Sequence, residues 1–170
     1  MSQVHSYHAT PKKILLPIDF SPSTQPALNT AADLAKHFHA SLHLMHVLSV
    51  FPTTTYPDFV PEQVVLQKAN AYAESRLAKC VKALEAKDIK ATLSVEVAND
   101  IPTTILEVIE REHIDLLVIS THGISGWHPM IFGSIAEKVI KVVECPLLLL
   151  RSPKPEVGPM VPARRSMEWW

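Results

Sequence analysis

Short apolar runs alternate with longer stretches of helical period along most of this chain, and that alternation restricts the fold more than any other feature. Residues 13–18 (KILLPI) are apolar and lead to Asp19. The stretch that follows, SPSTQPALNTAADLAKHFHA, sets Leu28, Ala31, Ala35 and Phe38 on one helical face. Residues 41–50 (SLHLMHVLSV) read as a second strand, and 61–87 as a long helix with a buried stripe of Leu66, Ala69, Ala73, Leu77, Cys80 and Leu84. In 91–97 (ATLSVEV), Leu93, Val95 and Val97 alternate with polar neighbours, as in a strand exposed on one side. PTTILEVIEREHI then predicts a helix capped by Asn99 or Asp100, with Pro102 in its first turn. DLLVIS has the apolar run of a central strand. SIAEKVIKVVE predicts a helix with Ile135, Val139, Ile140 and Val143 inward, and PLLLLR is a fifth strand.

Parallel neighbours need a crossover of a dozen or more residues, and a helix fills each gap between these strands. The expected fold class is therefore α/β: a doubly wound five-stranded parallel sheet with helices on both faces. Ligands in such sheets sit beyond the carboxyl ends of the strands, where the strand order reverses. The loops with unusual chemistry follow the first strand (Asp19-Phe20-Ser21-Pro22) and the fourth (120–133). If both serve one crevice, the first and fourth strands are neighbours and the order is 3-2-1-4-5. At 170 residues the chain suits one domain. We assign it to 12–152, with an N-terminal tail at 1–11 and a Pro-rich C-terminal tail at 153–170.

The formal charge of −1, with Lys and Arg scattered, offers no electrostatic footprint for nucleic acid or an anionic membrane. The N-terminus lacks the charged-then-apolar order of a signal peptide, and no apolar run approaches bilayer length, so a cytoplasmic location is expected. Cys80 and Cys145 read as reduced packing residues. The nine histidines invite a metal reading. His43 and His46, however, point to opposite faces of a strand, and His37 and His39 do not share a helix face, so no closed zinc site is expected.

Of only four glycines, Gly123, Gly126 and Gly133 fall within STHGISGWHPMIFGS, just before the last predicted helix. A glycine-rich loop running into a helix start gathers unpaired N–H groups at the positive end of the helix dipole, which suits a phosphate chain. Ser134 adds a hydroxyl there, and His122 is the histidine placed beside such phosphates. The competing reading is that the glycines only provide turn conformations and Ser134 an ordinary cap. GxxxxGK[ST] and a GxGxxG after the first strand are both absent from the sequence, which excludes the P-loop and the dinucleotide fingerprint. The 127–129 insert (Trp-His-Pro) reads as a loop tip.

KILLPIDFSPSTQPAL, LHLMHVL and DLLVISTHGISGWHPMIFGSIAEKVIKVVECPLLLLR together resemble the universal stress protein family from Lys12 to Arg151. The nucleotide-binding branch carries Gly, two residues, Gly, nine residues, then Gly and Ser or Thr. Gly123, nine intervening residues and Gly133-Ser134 fit that signature, with Ser120 in place of its first glycine. Asp19-Phe20-Ser21 stands where Asp-Gly-Ser is usual.

The resemblance implies an adenine nucleotide, ATP or AMP, with Mg²⁺ held through the phosphates. It places Pro17, Ile18, Val47 and Ile119 around adenine, with the backbone of Val47 on the base edge. Asp19 and the backbone of Ser120 come near the ribose or a phosphate-bound metal, and Gly123, Gly133, Ser134 and the amide of Ile135 hold the phosphates. Without the resemblance, Asp19 reads as a helix cap. The implied function is a stress-response regulatory protein acting as a homodimer through Leu147, Leu148, Leu149 and Leu150, without nucleic-acid or membrane partners. Two alternatives are a slow ATP-hydrolysing enzyme of the same fold and a dimeric interaction module that binds no nucleotide.

Overall fold

The strand predicted at the start of the chain forms β1 (Lys13–Pro17), which lies at the centre of the sheet. The computed structural model describes residues 10–49, 62–121 and 133–151. The expectations placed on 1–9, the 50–61 connection, His122, Gly123, Gly126, the 127–129 insert and the Pro-rich tail fall outside the described residues. After β1 come α1 (Thr24–Phe38), β2 (Ser41–Leu48), α2 (Glu62–Glu85), β3 (Ala91–Val97) and α3 (Ile101–Arg111). β4 (Leu116–Ser120), α4 (Ser134–Ile140) and β5 (Leu147–Leu150) complete the order. The strands form one five-stranded sheet in the order β3-β2-β1-β4-β5 with every pair parallel, the predicted topology. Among the described residues, no helix is long and apolar enough to cross a membrane.

Alternation along the strands divides the core in two. Ile14 and Leu16 of β1 and Leu42 and Leu44 of β2 face α1 and α2, where Ala31, Ala35 and Leu77 are almost fully buried. Leu15, Met45 and Leu117 face α3 and α4 and meet Ile105, Val108 and Val139. Burying a side chain such as Leu77 contributes roughly 1.5–3 kcal/mol. The alanines of α1 let that helix approach the sheet closely.

Three helices close in the same way without glycine. In α1, Ala40 N–H donates to the carbonyl of Ala35 (2.9 Å) and His39 N–H to that of Lys36 (3.4 Å). Ile89 and Asp88 repeat the pattern on Leu84 and Glu85 after α2, and Ile114 and His113 on Ile109 and Glu110 after α3. This is the Schellman arrangement, in which the residue after the helix is left-handed. His39, Asp88 and His113 have φ of 55°, 60° and 52°. The next residue, Ala40, Ile89 or Ile114, is buried and anchors each turn.

The structure corrects parts of the sequence pattern. α4 ends at Ile140 rather than at 144, although Val143 N–H still reaches the carbonyl of Val139 at 2.9 Å. Its inward stripe is Ala136 and Val139, with Val143 packed against the same cluster, while Ile135 is exposed. The stripe therefore starts one residue later than predicted. Val97 is 48% exposed at the open end of edge strand β3, whereas Leu93 and Val95 pack toward the α1/α2 side. Asp100 is the residue before α3, as expected, but its side chain takes Thr103 Oγ1 rather than a helix amide. Cys80 and Cys145 are free thiols.

Asp115 stitches the amino-terminal edge of the sheet. Its carboxylate accepts the amides of Lys12 (2.8 Å) and Lys13 (2.9 Å), and its own amide donates to the carbonyl of Lys13 (3.1 Å).

Candidate functional site

β1 and β4 lie side by side, with Ile14 opposite Leu116 and Leu15 opposite Leu117. The helix that follows β1, α1, packs on one face of the sheet, and the helix that follows β4, α4, packs on the other. This is the reversal point at which a crevice opens in sheets of this kind.

On the β1 side, Ile18 continues the ladder one residue beyond the strand, its amide 2.7 Å from the carbonyl of Met45. Asp19 follows, and its Oδ1 accepts the Ser21 amide (3.0 Å) and the Thr24 hydroxyl (3.2 Å). The carboxylate thus closes an Asx-type turn and holds the hydroxyl of Thr24, the first residue of α1, rather than a helix amide. Ser23, the residue before α1, makes no side-chain cap bond.

On the β4 side, Ser120 pairs with Leu150, and the buried Thr121 donates its amide to the carbonyl of Leu150 at 2.8 Å. The Thr121 carbonyl accepts the Gly133 amide at 2.6 Å. Gly133 has φ −71° and ψ 157°, so its lack of a side chain is not demanded by the backbone angle. Ser134 and Ile135 are exposed at the start of α4. Gly133 supplies no side-chain cap, so the first amides of this helix have no side-chain acceptor from that position.

Val47 and Ile119 both join the α3/α4 cluster. Pro17 shares their face by alternation with Leu15. Ile18 is buried in the cluster on the other face. Three of the four residues predicted around adenine therefore converge on one side of the strand ends, and Ile18 lies across the sheet from them.

A group that sequence reasoning passed over occupies the α1/α2 side. A cavity of about 430 Å³ is lined by Asp19 and Phe20 of the first loop, His46 and Leu48 of β2, and Ala69 and Tyr72 of α2, among others. Phe20 has φ 60°, the one left-handed non-glycine residue among those described that does not follow a helix. Its ring centroid is 4.5 Å from that of His46, and the Arg76 guanidinium lies 4.0 Å from it on α2. The legible signal was the parity of His46, which shares the face of Leu42 and Leu44 and so points toward α2.

His43 lies on the opposite face from His46, as its spacing predicts. It is 3% exposed, with Nδ1 2.7 Å from Thr92 Oγ1 and Nε2 3.2 Å from Ser94 Oγ. Burial pushes its pKa down. It is a satisfied core histidine. Among the described residues, no three His, Cys, Asp or Glu side chains are grouped to hold a metal ion. Burial also pushes the Cys145 thiol up, away from reactivity.

Fold and site together define a doubly wound α/β protein with its candidate site at the reversal of strand order. Residues 10–151 match the Universal stress protein family, and the chain belongs to that family. It is 31% identical over 146 residues to a universal stress protein of Methanocaldococcus jannaschii, covering 85% of each chain. It is 33% identical over 149 residues to the Bacillus subtilis universal stress protein YxiE, covering 82% of this chain and 98% of that one. Among solved structures, hypothetical protein MJ0577 superposes with a TM-score of 0.73 at 25% identity, over 84% of this chain and 97% of that one. A universal stress protein in complex with cAMP gives 0.62 at 17% identity, over 84% and 98%. The Archaeoglobus fulgidus universal stress protein in complex with dAMP gives 0.58 at 17%, over 81% and 96%.

Proposed function

We propose that this universal stress protein binds an adenine nucleotide, AMP or ATP, at the carboxyl edge between β1 and β4, and serves as a regulatory binding protein of the stress response. The working unit is residues 12–152 in the cytoplasm, paired as a homodimer along β5. Pro17 and Ile119 line the adenine site and the backbone of Val47 reads the base edge, while Ile18, whose side chain lies across the sheet, is left out of that lining. Asp19 and the backbone of Ser120 meet the ribose. His122, Gly123, Gly133, Ser134 and the amide of Ile135 hold the phosphates, and Mg²⁺, where it accompanies ATP, is carried by them.

The observation that carries this reading is Gly133. Its conformation is open to any residue, so its missing side chain calls for another cause, and close approach of an anion to the amides at the helix start is one. The cAMP and dAMP complexes of structural relatives support the same ligand class. Fast phosphoryl transfer generally uses a placed lysine or arginine, carboxylate-held Mg²⁺ and an oriented nucleophile. Binding is favoured over turnover because the chain carries no recognisable version of that set, and hydrolysis far below the roughly 1–10³ s⁻¹ of ordinary enzymes is expected.

The test is to denature the purified protein and identify any released nucleotide by mass spectrometry, then to titrate apo protein with AMP and ATP by calorimetry. Recovery of an adenine nucleotide, or saturable binding, is the expected result. Repeated recovery of none, with no thermal shift in millimolar ATP, would favour the dimeric interaction module instead.

A further inference from the structure

Both neighbours of Asp19 are tied to a single side chain. His46 Nδ1 lies 2.6 Å from the carbonyl oxygen of Ile18. A carbonyl only accepts, so Nδ1 carries the proton, which fixes the tautomer and the ring plane. That same ring is the platform for Phe20, at 4.5 Å between centroids and 39° between planes. Arg76 covers Phe20 at 4.0 Å, and its guanidinium is 5.7 Å from the ring of Tyr72 one turn earlier on α2. Phe20 is thereby caught between a fixed imidazole and a cation, an arrangement that favours the aromatic ring.

The backbone consequence falls on Asp19. Phe20 adopts φ 60°, a conformation uncommon for a bulky residue, and this turn brings the Ser21 amide back to Asp19 Oδ1 at 3.0 Å. Local strain of this kind persists where the surroundings over-determine it. Here the surroundings are the ring contacts, since Phe20 belongs to neither strand nor helix.

We propose that His46, Phe20 and Arg76 form a positioning stack that holds the Asp19 carboxylate in the orientation the adenine nucleotide meets. The inference rests on the nucleotide reading above and deepens it: α2, which supplies no residue to that site, sets the geometry of the β1 loop through Arg76. None of the three side chains needs to touch ligand.

Phe20→Gly separates the ring from the backbone angle, because glycine takes φ 60° freely. With AMP as the probe, Phe20→Gly and Arg76→Leu should each weaken binding about tenfold, with Phe20→Tyr close to wild type. In a double-mutant cycle, Phe20→Gly added to Asp19→Ala should cost no more than about twofold further, since the stack acts through Asp19. Multiplying losses, or wild-type affinity in Phe20→Gly, would overturn the proposal.

A ligand-free measurement keeps the two readings separable. Amide exchange followed by NMR should be at least about tenfold faster at Ser21 in Phe20→Gly, with the buried Ala31 in α1 unchanged. Unchanged Ser21 exchange would overturn the stack even if AMP binds. Wild-type protein that binds no AMP but shows the Ser21 effect would overturn the nucleotide reading and leave the stack as the device that orders Asp19.

Discussion

The Gly133 amide donates to the carbonyl of Thr121 across 2.6 Å, so the helix α4 begins directly against the end of β4. Because Gly133 has φ −71°, a β-branched residue fits its backbone. Gly133→Val should therefore change stability by no more than about 1 kcal/mol, the scale of an ordinary helix-cap substitution. The same change should abolish AMP binding. Ser134→Glu should keep the apo melting temperature within a few degrees, as a surface change within about 0.5 kcal/mol. It should weaken binding at least about tenfold, or roughly 1.4 kcal/mol. Calorimetry on both variants checks this, and equal affinities would make the stretch a turn and nothing more.

The hydrogen bonding of β5 predicts which residue guards the proposed dimer. The Pro146 carbonyl accepts the Leu117 amide and the Leu150 carbonyl the Thr121 amide, both toward β4. In a parallel ladder alternate residues bond to the same neighbour, so Leu148 also faces β4 while Leu147 and Leu149 turn their polar groups to the open edge. Leu149→Pro removes an edge donor and spares the β4 pairing. It should shift the protein to monomer in light scattering while keeping its parallel-sheet circular dichroism. A dimer of unchanged affinity would place the interface elsewhere.

His43 predicts a pH dependence of stability. Burial lowers its folded pKa below the ordinary value of about 6.5, so between the two values the unfolded chain binds more protons. Its contribution is full above about pH 6.5 and is lost as pH falls toward the folded value. Glu112, held low chiefly by its hydrogen bond from Lys13, loses its share only below about pH 4.3. Urea midpoints should fall from pH 7.5 to pH 5.5, and His43→Gln should flatten that slope. A slope unchanged in the variant would assign the proton uptake to another group.

The left-handed residue after α3 offers a stabilising change. His113 sits at φ 52°, where a side chain costs roughly 1–2 kcal/mol, and glycine returns about 0.5–1 kcal/mol of that through unfolded-chain entropy. His113→Gly should raise stability by several tenths of a kcal/mol, read as a higher urea midpoint at constant slope.

The fold was legible because its signal is periodic: apolar strand runs, helical stripes and crossover lengths leave few arrangements. The strand order came from chemistry, since placing Asp19 and the Ser120 loop in one crevice requires β1 beside β4, as the sheet has it. Helix ends were harder to read. His39, Asp88 and His113 take positions usually held by glycine, and no sequence signal marks a left-handed histidine. Ile135 misled because helical period alone leaves the phase of a short helix's buried face open by one residue, and the face here is Ala136 and Val139. The Arg76–Phe20–His46 contact joins residues from three elements and has no local pattern at all.

The pairing of Ile14 with Leu116 joins segments 102 residues apart in the sequence. Such non-local closure is slow, because chain entropy is lost before the contact rewards it. Asp19 and Ser120 consequently meet only once the sheet has joined across β1 and β4, and a partly folded chain has no crevice to offer. A nucleotide bound between those halves, as proposed above, would act as a lock on the assembled sheet. At a hundred times its dissociation constant it adds about 2.7 kcal/mol to the completed state by mass action. If the proposed site is filled in the cell, the adenine-nucleotide level would also set how long each finished copy survives proteolysis.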